Sequence, residues 1–187
     1  MRVLGISGSL RHDSHNSALL RAAAERLPAR AELVPFERLG EIPPYDEDVE
    51  VEGVPEVVRE LREAIRAADA VLIATPEYNH SIPGQLKNAL DWASRPAGES
   101  SLNGTPAAVI GASTGMFGAV WAQAELRKVL GAMGGRVLEA ELPVAHAADL
   151  RHGDRLELEP EQSEQLDEIL AELVAAAERE VPQPIAA

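Results

Sequence analysis

The chain has 187 residues and a mass of 20.0 kDa, which suits one compact domain with a core of its own. Its 31 acidic against 17 basic side chains give a net charge of -14, which repels polyanions, argues against a nucleic-acid face and leaves any bound anion to a local pocket. The absence of cysteine excludes disulfides, a thiolate nucleophile, a thiolate zinc site and an iron-sulfur cluster, and no apolar run approaches the roughly 20 residues of a membrane helix.

The N-terminal MRVLGISGSLR enters a strand pattern rather than a signal peptide, so a soluble, cytoplasmic protein is expected. Short apolar runs then alternate with helical periodicity. Strands are expected at Arg2 to Ile6, Ala31 to Val34, Ala70 to Thr75, Ala107 to Ile110 and Val137 to Val144. Stripes at helical spacing lie between and after them: Leu19 to Leu27, Val57 to Ala68, Leu86 to Ala93, Leu126 to Met133, and Leu166 to Ala177 after Pro160. The stretch from Phe36 to Pro55, acidic and broken by Pro43, Pro44 and Gly53, is expected to be a long surface loop. One domain is expected over 1–181, with a frayed tail from Pro182 to Ala187.

Strict βα alternation predicts an α/β fold in which a doubly wound five-stranded parallel sheet carries helices on both faces. The expected strand order is the flavodoxin-like 2-1-3-4-5. Ligands of such sheets bind beyond the carboxyl ends of the strands, so the loops after strands one, three and four are where chemistry is expected.

The first of these loops runs Ser7-Gly8-Ser9-Leu10-Arg11-His12-Asp13-Ser14-His15-Asn16-Ser17. Gly8 permits a tight turn, while Ser9, Ser14, Asn16 and Ser17 offer donors and Arg11 a fixed charge at a helix N-terminus, which together suit a phosphate. Simple helix capping by Ser and Asn is the plainer alternative, but the donors outnumber what one cap requires. Neither the nucleoside-triphosphate loop nor the dinucleotide glycine fingerprint is present. The second loop, Thr75-Pro76-Glu77-Tyr78-Asn79-His80-Ser81-Ile82-Pro83-Gly84, is stiffened by prolines and suits hydrogen bonding to a planar heterocycle. The third, Gly111-Ala112-Ser113-Thr114-Gly115-Met116-Phe117-Gly118, lets backbone approach a ligand closely.

These three segments together, G-S-L-R-x-x-S-x-N, T-P-E-Y-N-x-S-I-P-G-x-L-K-N-A-L-D-W and G-A-S-x-G-x-x-G, resemble the NADPH-dependent FMN reductase family, which includes flavodoxin-like quinone and chromate reductases. The resemblance spans about 1–145. It implies that Ser9, Arg11, Ser14, Asn16 and Ser17 hold the FMN phosphate, that Pro76, Glu77, Tyr78 and Asn79 lie along the flavin ring, and that Ser113 and Gly115 close its other edge. It also implies NADPH or NADH as co-substrate, a ping-pong transfer to a quinone, flavin, azo compound or metal oxyanion, and a homodimer or homotetramer. No protein nucleophile and no metal ligand is expected, because the flavin carries the hydride chemistry. Tyr78 and Phe117 are the aromatic residues available to stack on a substrate.

His12 and His15 carry no implied role, and His80 and His146, with no carboxylate partner visible at a fixed spacing, are expected to be structural. Trp92 is read either as part of a subunit interface or as packing within its own domain. Among rivals, a low-molecular-weight phosphatase lacks its cysteine, and a receiver domain lacks its acidic residues after strands one and three. A flavodoxin-like electron carrier and a non-catalytic flavin-binding regulator are the alternatives that the residues leave open.

Overall fold

The computed structural model describes residues 1–179, so the tail expected from 182 lies outside the described residues. Six parallel strands form the main sheet. Strand β1 (Arg2–Ser7) pairs with β2 (Glu32–Phe36) on one side and β3 (Ala70–Thr75) on the other, and β3 pairs with β4 (Pro106–Ala112). Two short strands, β5 (Arg136–Val137) and β6 (Pro143–Val144), both lie along β4. The order β2-β1-β3-β4-β5 is the flavodoxin-like one expected from the alternation.

Every residue of β3 and β4 is buried, as a parallel strand covered on both faces requires. The period of two sorts their side chains. Val71, Ile73, Ala107 and Val109 face a core formed with α3 (Glu56–Arg66), α4 (Gly84–Ala93) and α5 (Val120–Ala132). Leu72, Ala74, Ala108 and Ile110 face a second core, formed with α1 (His15–Arg26) and α6 (Pro160–Glu178). A capping box at Glu159 and Gln162 starts α6 with Pro160 in its first turn.

Two expectations are corrected. The fifth strand is not continuous from 137 to 144. The Leu138 amide still reaches Ala107 O at 2.8 Å, but the chain between leaves the ladder and returns only where Leu142 O accepts from the Gly111 amide at 3.1 Å. The interruption is held by Gln123, fully buried, whose side-chain carbonyl accepts from the Leu142 amide at 3.0 Å and whose amide donates to Leu142 O at 3.2 Å. Arg127 draws Glu141 outward at 2.9 Å.

The stretch from Phe36 to Pro55 is not merely a surface loop. It contains a 3-10 turn (Leu39–Glu41) and the short helix α2 (Glu47–Glu52), and it sinks Leu39 and Ile42 into the first core. Asn88 fastens it by accepting from the Tyr45 amide at 2.7 Å and donating to Pro43 O at 2.8 Å. Of the two readings of Trp92, packing within its own domain holds, since it is fully buried beneath this segment: its indole N-H donates to Pro43 O at 2.9 Å, and Tyr45 meets its ring edge-on at 4.9 Å. Buried Arg62 completes the cluster, donating to Trp92 O at 2.9 Å and to Glu50 at 2.8 Å. Trp92 therefore packs within its own fold and offers no surface to a subunit.

An unexpected antiparallel hairpin, β7 (Arg151–His152) with β8 (Arg155–Leu156), follows β6 and buries Leu156 in the second core.

Candidate active site

The carboxyl ends of β1, β3 and β4 are adjacent, so the three loops named above emerge side by side. Short backbone contacts lock them together. Gly8 donates to Ala74 O at 2.8 Å, and a Cβ at Gly8 would stand 2.9 Å from a Leu86 methyl and 3.3 Å from Pro76, so only glycine brings the first loop this close to the second. At the other end, Gly118 has a φ of +57°, and a side chain there would collide with the Pro143 backbone.

In the first loop, Ser14 is the N-cap of α1, its hydroxyl accepting from the Ser17 amide at 3.1 Å. Asn16 is buried and spends both ends of its amide on β4: it donates to Ala112 O and accepts from the Ala112 amide, each at 2.9 Å. These two residues thus serve the helix and the sheet. Ser17 donates its hydroxyl hydrogen to Ser7 Oγ at 3.0 Å, Ser9 Oγ accepts from the Arg11 amide at 3.4 Å, and the Arg11 side chain is exposed. A cavity of about 700 Å³ opens beside them, lined by Ser7, Ser9, Arg11 and Ser17 and floored by Phe36 and Leu39. The loops after β3 and β4 do not line it; Tyr78, Asn79 and Gly115 stand exposed on the neighbouring edge.

The cradle fits a phosphate. Ser7, Ser9, Ser17 and Arg11 line it beside the start of α1, a helix end that favours anions, and close by the His15 Nδ1 is buried with no hydrogen-bond partner. Burial, followed by the nearby charges of Arg11 and Arg151, holds His15 below its ordinary pKa. Neither His15 nor Arg151 was expected to stand here, and Arg151 lies beyond the motif altogether.

In the second loop, Tyr78 and Ser81 exchange backbone hydrogen bonds of 3.0 and 3.1 Å around Asn79 and His80, whose φ values of 54° and 61° are those of a type I′ turn. Asn is well suited to the first of these positions. Pro76 is buried behind the turn. Glu77 points away from the loop it belongs to, and its Oε2 accepts from the amides of Trp121 and Ala122 at 3.0 and 3.1 Å. It therefore caps α5, whose own N-cap Ala119 has no side chain to do so. Its Oε1 stands 3.5 Å from His80 Nδ1, a carboxylate partner that the linear spacing did not reveal. The His80 ring meets Trp121 edge-on at 4.6 Å, and Phe117 meets Trp121 at 4.8 Å.

The third loop is held by its neighbour. Ser113 Oγ accepts from the Gly115 amide at 3.1 Å, Ser113 N donates to Val144 O at 3.0 Å, and Gly115 O accepts from His146 N at 3.1 Å. Tyr78, Met116, Phe117 and Trp121 are all more than 40% exposed, an apolar group beside the loops in a chain poor in aromatic residues.

Comparison with known proteins points to one family. The family model described as NADPH-dependent FMN reductase matches residues 1–149. An NAD(P)H-dependent FMN reductase of Pseudomonas aeruginosa is 53% identical over 130 residues, 70% of this chain and 69% of the relative. A quinone reductase of Pseudomonas putida is 45% identical over 125 residues, 67% of each. Among solved structures, a flavoenzyme NAD(P)H:(acceptor) oxidoreductase of Paracoccus denitrificans superposes with a TM-score of 0.82 at 36% identity, covering 95% of this chain and 97% of that one.

Proposed function

The chain belongs to the NADPH-dependent FMN reductase family, and from that membership we propose that it is an FMN-dependent NAD(P)H oxidoreductase that reduces quinones. The bound flavin supplies the redox chemistry, taking a hydride from the nicotinamide and passing the electrons to the acceptor. One observation carries the reading: three loops distant in sequence are locked at one sheet edge, with a cationic cradle at one end and an exposed apolar group at the other.

Ser9, Arg11 and Ser17 bind the FMN phosphate directly, while Ser14 and Asn16 hold the first turn of α1 in place for it. Pro76, Tyr78 and Asn79 present the second loop along the ring, largely through backbone. Glu77 is a positioning residue that fixes this loop against α5, and Ser113 and Gly115 close the opposite edge. Tyr78 and Phe117 flank the acceptor. With FMN held by these residues, transfer would be ping-pong, the nicotinamide and the acceptor visiting in turn, and free flavins, azo compounds and metal oxyanions would be further acceptors. No side chain acts as a nucleophile.

The protein works in the cytoplasm as one FMN-binding domain over 1–181, in a homodimer or homotetramer. No helix among the described residues is long and apolar enough to cross a membrane. With Trp92 buried, the exposed Met116, Phe117 and Trp121 are the surface for a second subunit. An absorption spectrum followed by anaerobic NADPH addition tests the assignment: a yellow protein that bleaches supports a reductase, one that stays oxidised supports a flavodoxin-like carrier or a non-catalytic flavin-binding regulator, and a colourless one contradicts the cofactor assignment.

A further inference from the structure

In a chain of net charge -14, a dianionic group is held only where cations gather against the general field. Several arginines here are neutralised elsewhere. Arg26, Arg30, Arg38, Arg62 and Arg127 each pair with a carboxylate. Among the described residues Arg151, like Arg136, does not: its Nε donates to Gly153 O at 2.6 Å and its Nη1 to Ser14 O at 3.0 Å, both neutral carbonyls. Ser14 is the N-cap of α1, so these bonds fix the guanidinium beside the first turn of the helix that faces the cradle. His15, the first residue of that helix, has its buried Nδ1 unpartnered, and Arg11 approaches from the loop. The nearest acidic side chain in the loop, Asp13, stands 3.3 Å from His12. Arg11 and Arg151 are thus both near enough for their charges to act on His15, at the start of one helix.

We propose that Arg151 and His15 complete the phosphate end of the FMN site, so that the β7–β8 hairpin, which lies beyond the 1–149 family match, is part of cofactor recognition. The inference rests on the FMN reading above and extends it to a variable position of the first motif and to a residue beyond the motifs. Arg151 acts as the charge opposite Arg11 across the helix terminus, with its position set by Ser14 and Gly153. His15 turns its free nitrogen to a phosphate oxygen. A charge-assisted hydrogen bond to a phosphate is worth about tenfold or more in affinity.

The experiment compares FMN with riboflavin, which has the same ring and no phosphate, by quenching of flavin fluorescence on titration into the flavin-free full-length protein. Wild type, R11A, R151A, R151K and H15Q are measured, each with its thermal midpoint in the absence of flavin. The expected result is that R151A weakens FMN about tenfold or more while riboflavin affinity stays within about twofold, with R151K intermediate and H15Q weakening FMN about three- to tenfold. Equal weakening of both flavins, or unchanged FMN affinity, in R151A and R151K would overturn the assignment and leave Arg151 as a strut of the hairpin. Should R151A fail to fold, R151K decides on the same criterion. A wild type that binds neither flavin contradicts the FMN reading itself, whereas one that prefers FMN through Arg11 alone contradicts only the role of Arg151 and His15.

Discussion

The Glu77 carboxylate accepts the Trp121 amide hydrogen at 3.0 Å, although the two residues are 44 positions apart. The same oxygen takes the Ala122 amide, so an acid from the loop after β3 does the work of a helix cap for α5. The consequence for the site is geometric: the loop proposed to carry the flavin ring and the helix that follows the opposite loop cannot move independently.

Replacing Glu77 tests that connection. Loss of a capping oxygen costs about 0.5–2 kcal/mol, so Glu77→Ala should lower the denaturation midpoint, and Glu77→Gln, which keeps a neutral acceptor, should lose less. FMN affinity should fall as well, because the freed loop no longer presents a fixed edge. Chemical denaturation with and without FMN measures both, and an unchanged midpoint in Glu77→Ala would show that water caps α5 equally well.

Asn79 separates backbone from side chain. With a φ of 54° it occupies a position that glycine accepts freely and a β-branched residue resists. Asn79→Gly should fold with near wild-type stability, whereas Asn79→Val should lose about 1–2 kcal/mol. If the amide also touches the flavin, Asn79→Gly slows flavin reduction by NADPH in stopped flow despite an intact turn; an unchanged rate would leave Asn79 as a turn residue alone.

The sheet and its order were legible because β3 and β4 are apolar along their whole length and the helical stripes between strands are regular. The three loops were legible because their residues are contiguous. Whatever depended on partners distant in the chain was not. The break in the fifth strand is decided by Gln123, and the burial of Leu39 and Ile42 by Asn88 and Trp92, none of them within the segments affected. Glu77 reads as a site residue in sequence because nothing local shows the amides it caps. Arg151 stands 137 positions from Ser14, so its place beside the cradle appears only in three dimensions.

Trp92 now carries a stability prediction. Removing a fully buried tryptophan costs about 3–5 kcal/mol, so Trp92→Ala should be severely destabilised, and Trp92→Phe should lose less, keeping most of the packing while leaving Pro43 O to the Asn88 amide alone. Sedimentation of Trp92→Phe should give the wild-type mass. A change of oligomeric state at unchanged stability would contradict the buried placement.

His15 predicts a pH dependence. Burial first, then Arg11 and Arg151, hold its pKa below the ordinary 6.5 in the folded chain. Well above 6.5 neither folded nor unfolded His15 is protonated, and it contributes nothing to the difference. As pH falls through 6.5 the unfolded chain takes up the proton first, so folding loses stability until the folded pKa is passed. Flavin-free wild type should therefore lose stability relative to His15→Gln as pH drops from 6.5, and the two should run in parallel above it. Denaturation curves across that range check this; parallel behaviour throughout would mean that His15 is as free as an exposed histidine.

The central claim is that this chain holds FMN and reduces it with a nicotinamide. Anaerobic stopped-flow spectroscopy of the FMN-loaded protein tests it most directly. On mixing with NADPH or NADH, the oxidised flavin absorbance should bleach in a single phase within a turnover, and subsequent addition of a benzoquinone should restore it. A protein that takes up FMN with no preference over riboflavin, or whose bound FMN stays oxidised in the presence of both nicotinamides, would contradict the account.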